Sequence, residues 1–219
     1  MDLKEELIAR ERAKAMIYRR LADAFQLPEK GLSTILRQLA SALSSLGSTA
    51  RHDAEALFET YRATKDIQAL QVEYTRLFAG PFLAAAPPYG SIYLEKKRVL
   101  MGPSTQDVQR HYRSVGVDVS PAFKDAPDHV CAELEFMYVL IRNGIHAVET
   151  GDDAMLLEAV QHLRKFLTGH IGAWLPVFAD KVIAHARTDF YRRLASAART
   201  FIIEEIAALP RVRIQPPQQ

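Results

Sequence analysis

Pro127-Asp128-His129-Val130-Cys131-Ala132-Glu133-Leu134-Glu135-Phe136-Met137-Tyr138-Val139-Leu140-Ile141 is the stretch on which the fold turns. It opens a helix expected from about Pro127 to Glu149. Val130, Leu134, Met137, Tyr138, Ile141, Ile145 and Val148 recur at helical spacing and make one apolar face. Phe136, Val139 and Leu140 lie on the other side, so this helix is apolar on two faces. A helix of that kind is buried between layers and stands at the centre of the fold.

Outward from it, helical periodicity continues and strand alternation is nearly absent. Helices are expected from about Leu3 to Phe25, Ser33 or Thr34 to Leu46, Asp53 to Ala63, Asp66 to Ala79, Ser104 to near Gly116, Ala154 to Thr168, Ile171 to Ala186 and Thr188 to Leu209. Ser104 is placed as a cap, and Pro176 should break or kink its helix. About nine helices make an all-α, multi-helix bundle. The expected organisation is a single domain, 1–209, with helical halves at about 1–82 and 104–209, and a flexible tail at 210–219. The stretch between the halves, 80–103, is longer than ordinary connections, and such loops are functional or disordered. Its prolines and aromatics favour an ordered loop.

The 219 residues are enough for one ordinary core, and 48% hydrophobic with 25% charged residues is a globular composition. A net charge of +2 with interleaved acids and bases argues against nucleic acid. No apolar run approaches the roughly 20 residues of a membrane span, and the first residues do not read as a secretory signal. The single cysteine, Cys131, reads as a small buried hydrophobe and excludes an internal disulfide. The cytoplasm is the expected location.

Two places hold the candidate chemistry. In the helix ending near Ala79, Ile67, Leu70, Tyr74, Leu77 and Phe78 form an apolar stripe, and Glu73 sits at its edge. A carboxylate there needs a partner; Arg76, three residues on, makes it an ordinary ion pair, and a ligand contact is the other reading. At the start of the central helix, Asp125 is placed as the N-cap and Asp128 in the first turn, where the helix dipole favours a carboxylate. His129, Glu133, Phe136 and Leu140 share one face and outline a groove, or else Asp128 and His129 only stitch the helix start. No phosphate loop, dinucleotide fingerprint or nucleophile elbow occurs. His129 and Glu133 have metal-ligand spacing without a third ligand nearby, and the other histidines are scattered. These signs favour binding over catalysis.

The run Glu73-Tyr74-Thr75-Arg76-Leu77-Phe78, with trailing Gly80-Pro81 and Pro87-Pro88-Tyr89-Gly90-Ser91-Ile92-Tyr93, and the motif Pro127 to Met137 occur once each and in this order. Together they resemble the TorD/DmsD family of redox-enzyme maturation chaperones, to which NarJ-type assembly proteins are related. The resemblance spans roughly residues 5–209. It implies an all-α cytoplasmic chaperone with no catalytic residues, no cofactor and no metal. Its implied partners are a molybdoenzyme catalytic subunit and that subunit's twin-arginine signal peptide, held until cofactor insertion. Neither nucleic acid nor direct membrane insertion is implied. The implied peptide-binding residues are Glu73, Leu77, Phe78, Pro88, Tyr89, Ser91, Tyr93, Asp128, His129 and Glu133. An assembly factor docking on the enzyme body is the alternative, and a small metal-dependent hydrolase using His129 and Glu133 a distant one. The expected state is mostly monomer, with a domain-swapped dimer conceivable. Tyrosines at 89 and 93 stand where many relatives have tryptophan, and Lys96 where arginine is frequent, which leaves the client's identity open.

Overall fold

The computed structural model describes residues 2–79, 84–96 and 100–209. Its helices are α1 (Leu3–Ala24), α2 (Leu32–Leu46), α3 (Arg51–Thr64), α4 (Ile67–Tyr74), α5 (Ser91–Leu94), α6 (Pro103–Ser114), α7 (Val130–Thr150), α8 (Asp153–Gly169), α9 (Ile171–His185) and α10 (Asp189–Ala208). A π-helical turn, Thr75–Ala79, follows α4 directly. Among the described residues there is no strand beyond one isolated bridge between Tyr89 and His129. The all-α expectation holds, with α5 as an additional short helix inside the 80–103 stretch.

Local chemistry sets the ends of these helices. Asp2 and Glu5 close a reciprocal capping box on α1. Asp66 and Asp152 each accept a backbone N–H at 2.9 Å, from Ala69 and Met155, at the starts of α4 and α8. Gly47 and Gly151, both at φ 72°, supply the left-handed residue that ends α2 and α7.

The long helices pack as a closed ring. α1 lies on α2, α2 on α3, α3 on α10, α10 on α9, α9 on α8, α8 on α7, and α7 returns to α1. Each half of the chain therefore covers the other, and one core runs through both. Its fully buried side chains include Tyr18, Leu21, Leu36, Leu134, Phe166, Trp174, Phe178, Tyr191 and Phe201. Cys131 is buried in the same core.

Three local expectations are corrected. α7 begins at Val130, and its N-cap is His129, whose Nδ1 accepts the Cys131 N–H at 3.2 Å. Asp125 and Asp128 precede the helix because the backbone there pairs with the Pro88–Gly90 segment instead. α9 runs unbroken from Ile171 to His185 through Pro176. At α6 the cap residue is Gly102 with Pro103 at the first helical position, and the Ser104 N–H is satisfied by Glu95 Oε1 at 2.8 Å. Gly80 to Leu83, part of the long loop, and the expected tail 210–219 lie outside the described residues.

Candidate functional site

The loop carrying Pro88, Tyr89 and Ser91 is laced to the start of α7. Val130 N–H donates to the Pro88 carbonyl at 2.8 Å, and Gly90 N–H to the Asp128 carbonyl at 2.9 Å. The Asp128 carboxylate accepts the Ser91 N–H at 2.8 Å. Asp128 therefore serves the N-terminus of α5 rather than that of α7. Tyr89 donates its hydroxyl to Asp125 at 2.7 Å, and its ring stands 5.2 Å from that of His129. Burial and the Asp125 bond both push the Tyr89 hydroxyl's pKa up. Burial also holds His129 below the ordinary imidazole range, and its Nδ1 caps α7 by accepting the Cys131 N–H.

Beneath this seam lies Glu133, fully buried, with Oε2 accepting the Trp174 indole N–H at 2.9 Å. Burial drives its pKa far up, nearby Asp128 adds to the rise, and the indole bond opposes it. Gly90 covers the pair so closely that a Cβ there would lie 2.9 Å from Trp174 Nε1 and 3.0 Å from Glu133 Oε1. Tyr93 stacks on Trp174 at 5.6 Å and 15°, donates its hydroxyl to the Pro87 carbonyl, and has Lys181 Nζ 4.9 Å above its ring.

The first motif is anchored differently. Glu73 accepts two hydrogen bonds from Arg76, both at 2.7 Å, and one from the Arg187 N–H at 2.6 Å. Arg76 also donates to the His185 carbonyl at 2.7 Å. Glu73 thus ties α4 to the joint between α9 and α10. The π-helical turn brings both Leu77 and Phe78 into the core. There Phe78 meets Phe25, Tyr74, Phe178 and Tyr191, with ring centroids 5.0–6.3 Å away. The Leu77 carbonyl accepts the Ala86 N–H at 2.8 Å, which returns the loop onto this turn.

Of the ten sequence-derived residues, Tyr89 and Tyr93 are partly exposed and the other eight are buried. Pro88, Tyr89, Ser91, Asp128, His129 and Glu133 come together; Tyr93 joins them through Trp174, and Phe78 through Phe178, 6.1 Å from Tyr93. Glu73 is engaged with the α9–α10 joint. His129 and Glu133 turn to separate partners, the ring to Tyr89 and Phe123 and the carboxylate to Trp174.

Alongside the α7 start opens a cleft of about 550 Å³ that the sequence did not point to. Its walls are α6, the segment 117–123 and the outer face of α7. Tyr112, Val119, Phe123, Phe136 and Val139 make it apolar, and Asp118 and Glu135 stand exposed at its rim. Phe123 packs 5.8 Å from the His129 ring, which joins the cleft to the laced seam. Asp118 pairs with Arg113 at 3.5 Å and Glu135 with Arg19. Such exposed pairs contribute little, so both carboxylates can exchange partners readily. Sequence reading also missed a meeting of Asp107 and His111 with His162 and His170, because the two pairs are about 50 residues apart along the chain.

The model of the nitrate reductase delta subunit family matches residues 28–180. The Tat proofreading chaperone DmsD of Salmonella typhi is 30% identical over 159 residues, 72% of this chain and 71% of the relative. The chaperone protein TorD of Psychrobacter sp. strain PRwf-1 is 27% identical over 220 residues, 95% of this chain and 97% of its own length. A crystal structure described as a redox enzyme maturation protein from Archaeoglobus fulgidus shares the fold. Its TM-score is 0.54 at 22% identity, covering 89% of this chain and 93% of that one.

Proposed function

The chain belongs to the nitrate reductase delta subunit family, alongside redox-enzyme maturation chaperones of the TorD/DmsD kind, and we propose how it serves as one. It binds the twin-arginine signal peptide and/or apoprotein of a molybdopterin-dependent oxidoreductase in the cytoplasm and holds it for cofactor insertion before export. The observation that carries this reading is the seam between the two motifs, set beside an apolar cleft with carboxylates at its rim.

A twin-arginine leader offers guanidinium groups followed by an apolar run. Carboxylates take guanidinium in bidentate geometry. An apolar groove takes the run as a helix or an extended strand. Asp118, Glu135 and the exposed Asp125 supply the first, and Phe123, Phe136 and Val139 the second. In this reading Pro88, Ser91, Asp128, His129 and Glu133 set the shape of the wall from behind, while Glu73, Leu77 and Phe78 anchor the turn from which the loop departs. Tyr89 and Tyr93 reach the ligand from the loop. No proton or bond transfer is assigned, since the relatives are named as chaperones.

The test is titration of labelled twin-arginine leaders from molybdoenzymes of the same organism, followed by fluorescence anisotropy. One leader is expected to bind, and Asp118→Asn with Glu135→Gln to weaken it roughly tenfold or more, from lost charged hydrogen bonds. Replacing the arginine pair by lysines should weaken it comparably. Equal affinity of the double variant, or no leader bound at all, overturns the cleft assignment.

The alternative, docking on the enzyme body, draws on a separate apolar groove of about 370 Å³ between α1, α7, α8 and the end of α10. Exposed Leu7 and Val160 line it. Retained affinity for a leaderless client, lost on Val160→Asp, would favour that reading.

A further inference from the structure

Three histidines from distant parts of the chain gather on one flank of the ring. Asp107 and His111 lie one turn apart on α6 and share a face. Opposite them His170 sits at the junction of α8 and α9. One ligand atom from each of Asp107, His111 and His170 lies within 4.8 Å of the other two. His170 Nε2 is 2.9 Å from Asp107 Oδ2, and His111 Nε2 is 4.0 Å from the same oxygen. Phe166 stacks on the His170 ring at 4.9 Å and meets His111 edge-on at 5.5 Å, so one aromatic ring backs both imidazoles.

We propose that Asp107, His111 and His170 form a binding site for a divalent late first-row metal ion, and we assign Zn²⁺. Two imidazoles and a carboxylate are the donor set such ions take, and Zn²⁺ accepts it in tetrahedral form. Bonds of about 2.0–2.2 Å place tetrahedral ligand atoms roughly 3.3–3.5 Å apart. The observed 2.9 and 4.0 Å bracket that spacing, so the His170–Asp107 pair must open and the partly exposed His111 ring close by about half an ångström each. The fourth position falls to water or to His162. That ring is 6.5 Å from His111, and its buried Nδ1 has no hydrogen-bond partner among the described residues.

The surrounding charges are compatible with an ion. Arg110 holds Asp107 Oδ1 at 2.7 Å, which leaves Oδ2 for the metal. His170 Nε2 donates its proton to Asp107 Oδ2 at 2.9 Å, so a metal ion binding there displaces that proton. Lys165 and Arg110 add opposing positive charge, and Asp128 partly offsets it. An ion held here pins α6 to the α8–α9 junction, so its binding reads out as thermal stabilisation.

The experiment titrates the untagged, metal-free full chain with ZnCl₂ against a chromogenic chelator and follows Tm in parallel. One equivalent should bind with micromolar or tighter affinity, and Tm should rise and fall back on adding EDTA. Both His111→Ala and Asp107→Asn replace residues at least partly exposed, so the fold is retained, as far-UV circular dichroism will verify. Each should weaken binding roughly tenfold or more, while His52→Ala, at an exposed position elsewhere, should leave it unchanged. Absence of saturable one-to-one binding, wild-type affinity in His111→Ala, or equal loss in His52→Ala overturns the site.

Discussion

Replacing Glu133 by glutamine isolates one buried proton. Glu133 is 0% exposed, and its carboxyl accepts the Trp174 indole N–H at 2.9 Å. Burial raises its folded-state pKa well above the ordinary 4.5, while the unfolded chain ionises near that ordinary value. Between those two values the folded protein holds one proton more than the unfolded chain. The contribution to stability is therefore fully present below the unfolded pKa and is lost as pH rises through the folded one. The slope in that window is about 1.4 kcal/mol per pH unit. Glutamine keeps the shape and the acceptor oxygen and has no proton to lose. Glu133→Gln should match the wild type at the acid end and become steadily more stable relative to it as pH rises, with that slope. Urea unfolding followed by Trp174, the single tryptophan, measures both proteins across pH. A constant offset between the two profiles would refute the buried neutral acid, as would parallel curves. Glu133→Ala supplies the contrast: compared with Glu133→Gln, which also has no proton to lose, the orphaned indole N–H should cost about 1–3 kcal/mol irrespective of pH.

Two further substitutions probe the neighbouring joints. Burial alone would raise the Glu73 pKa, but hydrogen bonds from Arg76 and Arg187 outweigh it and hold the carboxyl below its ordinary value. Its contribution is then present above the unfolded pKa and lost as pH falls through the depressed one. Glu73→Ala should cost about 1–3 kcal/mol at neutral pH by orphaning the Arg187 N–H, and the deficit in urea midpoint should shrink in acid. Gly90→Ala should destabilise by about 1–3 kcal/mol through overpacking, with a shifted Trp174 emission. The backbone at Gly90, φ −57° and ψ −41°, suits alanine, so the crowding against Trp174 and Glu133 is the cause to be measured.

The all-α architecture was legible because apolar spacing repeats through every long helix, and α7, apolar on two faces, is packed between α1 and α8. The partnership of the two motifs was legible only through resemblance. Spacing could not reveal that Asp128 would serve Ser91 N–H, since that bond depends on a chain reversal 37 residues away. The α7 start was misplaced for the same reason: Pro127 and Asp128 carry ordinary helix-start signals, and tertiary pairing with Pro88 and Gly90 overrides them. Glu133 read as a groove residue because one face of a helix does not disclose what covers it, here Trp174 and Gly90. His111 looked scattered, and His170 too far from His162 for one turn, because their meeting depends on how α6 docks against the α8–α9 junction.

The ring of helices has a consequence for biosynthesis. α3 finds its second neighbour in α10, made well over a hundred residues later, and α1 finds its own in α7. A nascent chain that has emerged through α4 thus carries two uncovered oily seams, which close only when α7 and α10 arrive. A maturation chaperone of this family thus has an open core of its own until α10 is in place.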